Sequence, residues 1–172
     1  MSDSSFLEVR NNIAMNYVVR RAVVADADEA CNVVRRSIIE LCTQDHHDED
    51  TAVQAWLANK TPANFERWIS KSGNVALVAQ AGSEVIAFAL LLSDASVALL
   101  YVLPEFRFLG VSKAMLANLE DAALANNRSE LRLASSETAR RFYLRQGYTP
   151  AGEPRVAFGR IPSYPMSKRL VP

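Results

Sequence analysis

Cysteine is scarce in this chain of 172 residues, which has two. They fall at Cys31 and Cys42, within one predicted helix. At a rise of ~1.5 Å per residue they stand ~16 Å apart, too far for a disulfide. They read as small buried side chains of a reduced, cytoplasmic protein. No CxxC, HExxH or similar ligand spacing occurs, so no metal is expected. Net charge is missing too. Nineteen basic residues cancel nineteen acidic ones, with no basic block or stripe, which leaves nucleic-acid binding without support. No apolar run approaches the ~20 residues that span a bilayer, so no membrane segment is expected. The start, MSDSSFLEVRNN, lacks the basic beginning and apolar centre of a signal peptide. Neither GxGxxG nor GxxxxGK followed by Ser or Thr occurs, which argues against dinucleotide and P-loop folds.

What is present is the patterning of an ordinary globular domain. Apolar residues make up 49% of the chain, enough to bury a core over this length. Residues 1–14 are expected to form a flexible N-terminal tail ahead of a single domain over residues 15–172. Tyr17–Val24 reads as a strand. Asp26 and Glu29 resemble a capping box, and Ala30, Val33, Val34, Ser37, Ile38 and Leu41 follow at helical spacing. The polar segment Thr43–Asp50 breaks that pattern. A helix over Thr51–Ala58 and another opened by Thr61-Pro62 come next. Val75–Gln80, Glu84–Ser93 and Ser96–Leu103 read as three successive strands. A helix after Gly110, a short strand Glu130–Ala134, a helix Ser136–Gln146 stopped by Gly147, and one or two last strands complete the chain. The fold class is therefore mixed α/β, an antiparallel meander followed by a parallel β-α-β unit.

Leu99–Leu116, LLYVLPEFRFLGVSKAML, is the most informative stretch. A strand runs through a Gly-containing turn into a helix N-terminus. The first N–H groups of a helix have no internal partners and carry partial positive charge, so this arrangement suits an anion such as a pyrophosphate.

Two motifs then resemble the GNAT superfamily of acyl-CoA N-acyltransferases. The first is Arg107-Phe108-Leu109-Gly110-Val111-Ser112, close to the family's Arg or Gln, two residues, Gly, one residue, Gly or Ala. The second is Ala139-Arg140-Arg141-Phe142-Tyr143-Leu144-Arg145-Gln146-Gly147-Tyr148, matching Ala, two residues, Phe-Tyr, three residues, Gly, aromatic. The resemblance implies a GNAT-like fold with a splayed cofactor cleft, acetyl-CoA as co-substrate, and transfer of acetyl to a primary amine by direct attack. It implies that the backbone at Tyr101 and Val102 pairs with the pantetheine arm. Arg107, Phe108, Leu109, Gly110, Val111 and Ser112 would hold the pyrophosphate, and Ser136 would make a polar contact to the cofactor besides capping its helix. Tyr143 matches the general acid, protonated at neutral pH and able to donate to a thiolate. By spacing alone, Tyr143 reads instead as a core aromatic that shares one helical face with Ala139 and Phe142.

The turn also departs from the family. Ser112 stands where Gly or Ala is usual, and Phe108 and Leu109 replace small or basic residues, so a weaker electrostatic hold on the phosphates is expected. Strand Ser96–Leu103 has no carboxylate, leaving the base open. Asp45-His46-His47-Asp48 is the nearest source, with His47 the candidate base and His46 a loop residue. Trp56, Phe65 and Trp68 read as core or pocket packing. The acceptor is a small amine, an amino-acid or antibiotic-like amine, or a peptide amine, and the short acidic and His-rich pieces point to a small cationic one. A homodimer is implied by resemblance only. The alternative function is a non-catalytic acyl-CoA-binding sensor or interaction module.

Overall fold

The computed structural model describes residues 16–171, so the expected tail lies almost wholly outside the described residues. One mixed sheet organises them. Strand β1 (Val18–Arg21) leads through a 3-10 turn into α1 (Ala27–Leu41). Three further helical segments follow: α2 (Thr43–His46), α3 (Asp50–Leu57) and α4 (Pro62–Ser70). Then come β2 (Val75–Ala81), β3 (Glu84–Leu91), β4 (Ser96–Val102), α5 (Val111–Ala125), β5 (Glu130–Ser135), α6 (Glu137–Arg145), β6 (Thr149–Pro150), β7 (Arg155–Ala157) and β8 (Ile161–Arg169). The strand order is β1-β2-β3-β4-β5-β8-β6, with β7 paired to β8. All pairings are antiparallel except β4–β5.

Strands β2 and β3 are buried along almost their whole lengths, which requires cover on both faces. Helices α1, α4 and α5 pack on them. Phe65 of α4 is fully buried against Phe88 of β3, ring centres 5.0 Å apart, and against Trp68 at 5.1 Å. Such aromatic pairs add about 0.5–1.5 kcal/mol beyond burial. Phe65 and Trp68 are therefore core residues.

The sheet splits where the site forms. Strands β4 and β5 pair only at Ser96↔Arg132 and Val97↔Leu133. The register of β4 against β3 shifts between Val97 and Leu99, leaving Ala98 as the extra residue of a bulge. Beyond that point β4 keeps β3 as far as Val102 but leaves β5, so its other edge opens into a gap.

Three local expectations are corrected. Asp26 and Glu29 do not form a capping box. The Asp26 carboxylate accepts from both Arg20 guanidinium nitrogens at 2.8 Å and from Val23 N–H at 2.8 Å, while Glu29 accepts from Val85 N–H at 3.0 Å. For Asp26 the neighbours Arg20 and Val23 outcompete the expected pair, and for Glu29 a tertiary partner does. The polar segment Thr43–Asp50 is not all loop: it contains α2, with Asp45 and His46 buried. The C-terminal region supplies three strands instead of one or two, and the last of them inserts between β5 and β6.

Candidate active site

Two cavities open into the gap beside β4. The first, about 570 Å³, lies between β4, the turn before α5, and α6. It is lined by Tyr101, Val102, Arg107, Phe108, Gly110, Val111, Ser112, Ser136 and Tyr143, among others. The second, about 230 Å³, lies across β4 toward α3 and the β7–β8 turn, with Trp56, Lys60, Phe158 and Ile161 in its walls. Leu100, Tyr101, Ser136, Ala139 and Tyr143 border both.

The turn before α5 owes its shape to two left-handed residues, Phe108 at φ 62° and Gly110 at φ 81°. Gly110 takes this conformation without a Cβ penalty and is the N-cap of α5. The first-turn N–H groups of α5 therefore face outward from a helix of 15 residues. Leu109 does not join the cavity. Its side chain is part-buried beside Tyr17, Ile86 and Phe106, and it anchors the turn to the core. Phe108 is 92% exposed with the Arg107 guanidinium 4.6 Å from its ring centre, so this pair is a solvated flap at the cavity rim.

Cations other than Arg107 also border this cavity. Lys113, Arg141 and Arg145 line the first cavity together with Arg107. Lys113 lies in the first turn of α5. Arg141 and Arg145 are four apart on α6, a spacing that shares one helix face. That spacing was visible in the sequence, but only the packing of α6 against the cleft turns it toward the anion-binding turn.

Helix α6 is fixed at both ends. At its start, Ser136 Oγ accepts from Ala139 N–H at 3.2 Å. Asp45 Oδ1 accepts from Glu137 N–H at 2.7 Å, and Oδ2 accepts from the Thr138 hydroxyl at 2.5 Å. A carboxylate suits the positive end of the helix. At its finish, Tyr148 N–H donates to Tyr143 O and Gly147 N–H to Leu144 O, both at 3.1 Å, with Gly147 at φ 86°. This is a Schellman cap, and its usual apolar contact is Tyr148 on Tyr143, ring centres 5.6 Å apart. The spacing Phe-Tyr, three residues, Gly, aromatic is thus the sequence of a helix stop that locks Tyr143. Tyr148 is held in turn by Glu120, which accepts from its hydroxyl at 3.1 Å and pairs with Lys168 at 2.9 Å. Tyr143 is 7% exposed, and burial pushes its hydroxyl pKa up, so it stays protonated.

The Asp45–Asp48 segment divides. Asp45 is occupied in capping α6. His46 is buried, with Nε2 3.0 Å from Ile38 O and Nδ1 accepting from Asp48 N–H at 3.1 Å, so it is no solvated loop residue. His47 is exposed in the left-handed region at φ 50° and borders neither cavity. Among the described residues, no carboxylate or imidazole lines either cavity. Among the described residues no group of His, Cys, Asp and Glu is arranged to hold a metal, and no helix is long and apolar enough to cross a membrane. Cys31 and Cys42 are both buried free thiols.

Residues 42–170 match the family model of the acetyltransferase (GNAT) domain. The chain belongs to the GNAT acetyltransferase family. No curated protein matches the sequence. Among solved structures, a GCN5-related N-acetyltransferase from Rhodopseudomonas palustris is 25% identical with a TM-score of 0.79, covering 89% of this chain and 95% of that one. The PaiA N-acetyltransferase from Thermoplasma acidophilum, in complex with coenzyme A, is 20% identical with a TM-score of 0.76, covering 90% and 99%. The aminoglycoside 6'-N-acetyltransferase from Enterococcus faecium is 14% identical with a TM-score of 0.69, covering 90% and 98%. The last two are similar in fold. The split sheet and parallel β4–β5 pair are the GNAT architecture that the two motifs implied.

Proposed function

We propose that the protein transfers an acetyl group from acetyl-CoA to a primary amine. The observation that carries this reading is the meeting of two cavities at Tyr143, one bordered by the Gly110 turn and four cations, the other walled by Trp56, Phe158 and Ile161 together with Lys60. Backbone N–H groups from Gly110 to Lys113 receive the pyrophosphate, with Arg107, Lys113, Arg141 and Arg145 supplying positive potential. Ser112 and Ser136 add hydroxyls at the same wall. The pantetheine arm lies along the edge of β4 that β5 has left, where Tyr101 and Val102 offer backbone amides as an adjoining strand would.

The amine nitrogen attacks the thioester carbonyl, the C–N bond forms and the C–S bond breaks. A backbone N–H of β4 steadies the oxyanion. Tyr143 donates its proton to the departing thiolate, and the amide nitrogen gives its surplus proton to water. With no carboxylate or imidazole in either wall, His47 has no place in this scheme, and the acceptor reacts from its neutral fraction.

Coenzyme A titrated by calorimetry, followed by thiol release from acetyl-CoA with a panel of amines, tests the proposal. Binding with turnover on at least one amine is expected. Tight binding with no turnover on any amine would favour the sensor reading.

A further inference from the structure

The second cavity contains a charge that the chemistry above does not use. Lys60 is 4% exposed. None of the ion pairs among the described residues includes it. The chain holds it firmly between α3 and α4: its backbone carbonyl accepts from Cys31 Sγ at 3.3 Å and from Arg35 Nη1 at 2.9 Å, both on α1. Its Nζ donates to Asn59 Oδ1 at 2.5 Å and to Trp56 O at 3.4 Å, two neutral acceptors for three donors. It also lies 5.5 Å from the centre of the Phe158 ring, which stacks on Trp56 with ring centres 5.5 Å apart.

The surroundings make this charge distinctive. Among the described residues, the cavity walls contain no Asp or Glu. The other ionisable groups bordering it, Tyr101 and Tyr143, are neutral because burial raises both. Burial pushes Lys60 down to about 8, so it remains an ammonium at neutral pH. Keeping a buried cation without a counterion is costly, and perturbed groups of this kind gather at functional sites. A polycationic acceptor entering here would meet like charge and find no carboxylate. The volume, about 230 Å³, is also below the ~300–1,000 Å³ of pockets for drug-sized molecules.

We propose that the acceptor is an amine of amino-acid size carrying a carboxylate, which pairs with Lys60 Nζ while its apolar body lies against Trp56 and Phe158. This rests on the acetyl-transfer reading above. It replaces the small cationic acceptor expected from the sequence, and it sets this chain apart from the aminoglycoside N-acetyltransferases whose fold it shares.

The test compares leucine, methionine and phenylalanine with their amides, and with spermidine, in thiol release from acetyl-CoA. Calorimetry of N-acetyl-leucine and N-acetyl-leucinamide on the CoA-loaded protein provides a readout that needs no turnover. Calculated on the neutral fraction of each amine, the acids are expected to exceed the amides in kcat/KM by about tenfold or more, as for a desolvated charge pair. Lys60→Met should erase that ratio through KM, and Lys60→Arg should restore part of it. Melting curves and CoA affinity establish that both variants fold, and the wild-type ratio stands without them. Amides or spermidine matching the acids in both assays, or Lys60→Met keeping the ratio, would overturn the assignment. A protein that binds no CoA overturns the acetyl-transfer reading itself, whereas CoA binding without preference for the acid overturns this inference alone.

Discussion

The two cavities are built in opposite ways. The first collects its anion-binding groups from short continuous pieces: a left-handed turn, the helix N-terminus that follows it, and one face of α6. Its cations sit at an open rim, where each contributes little and salt screens it. The second is assembled from four segments distant in sequence: Trp56 to Lys60, β4 from Val97 to Tyr101, the stretch from Ala134 to Tyr143, and the Phe158 turn between β7 and β8. Its single ammonium is enclosed, and so acts strongly on whatever enters. On the proposed roles, cofactor recognition is distributed over local pieces, while acceptor recognition is concentrated at one residue and assembled over long range. Tyr143 stands where the two meet.

Removing the group common to both cavities should have the largest effect. Tyr143→Phe keeps the ring contacts with Phe142 and Tyr148 and deletes the hydroxyl. Turnover should fall by about 10²–10⁴-fold, with CoA affinity within about twofold of wild type by calorimetry. Unchanged turnover would remove Tyr143 from the chemistry.

The distributed character of the first cavity predicts a smaller, salt-dependent loss. Arg141→Ala combined with Arg145→Ala should raise the CoA dissociation constant by about tenfold at low ionic strength, with the difference shrinking at high salt. No change at low salt would mean that backbone N–H groups and Arg107 with Lys113 suffice.

The enclosed cation predicts a pH response of defined sign. Lys60 is held down at about 8, so its ammonium is present below that pH and lost above it. Affinity for N-acetyl-leucine on the CoA-loaded protein should be level below pH 8 and fall by up to about tenfold per pH unit above it. A flat profile would separate Lys60 from the carboxylate. For folding, the lowered pKa has the converse sign: the unfolded chain binds the extra proton between about 8 and its ordinary value of 10.5. Stability contributed at Lys60 therefore rises across that window.

The smallest effect belongs to the helix stop that aims Tyr143. At Gly147 a Cβ would meet only Lys168 side-chain carbons, at 3.7 Å or more, so Gly147→Ala carries only the backbone strain of its positive φ. A loss of about 1–2 kcal/mol in denaturant unfolding is expected, with the acid-to-amide preference intact.

The same contrast accounts for what was legible beforehand. The turn at Gly110 and the stop at Gly147 are encoded by neighbours within a few residues, so their positions were readable from spacing. Asp26 and Asp45 show the limit. Asp26 sits where a capping box would place it, yet its carboxylate is taken by Arg20 and the Val23 N–H. Asp45 lies in a polar run that reads as loop or base, yet it caps a helix that begins 92 residues later. Asp26 is taken by near neighbours in a different local pattern, whereas Asp45 found a partner whose proximity no local pattern records.

The sequence by itself determined the family, the antiparallel meander followed by the parallel β-α-β unit, the glycine turn before α5 and the placement of Tyr143 in a helix stopped at Gly147. These follow from hydrophobic periodicity and from glycines at positive φ, both properties of adjacent residues. Only the tertiary structure decided that Leu109 faces the core, that His47 stands outside the cavities, that Arg141 and Arg145 border the cleft, and that Lys60 is buried without a carboxylate. Those outcomes depend on which surfaces the folded sheet and helices bring together across long stretches of chain. Burial, which lowers the pKa of Lys60, exists only once they have met.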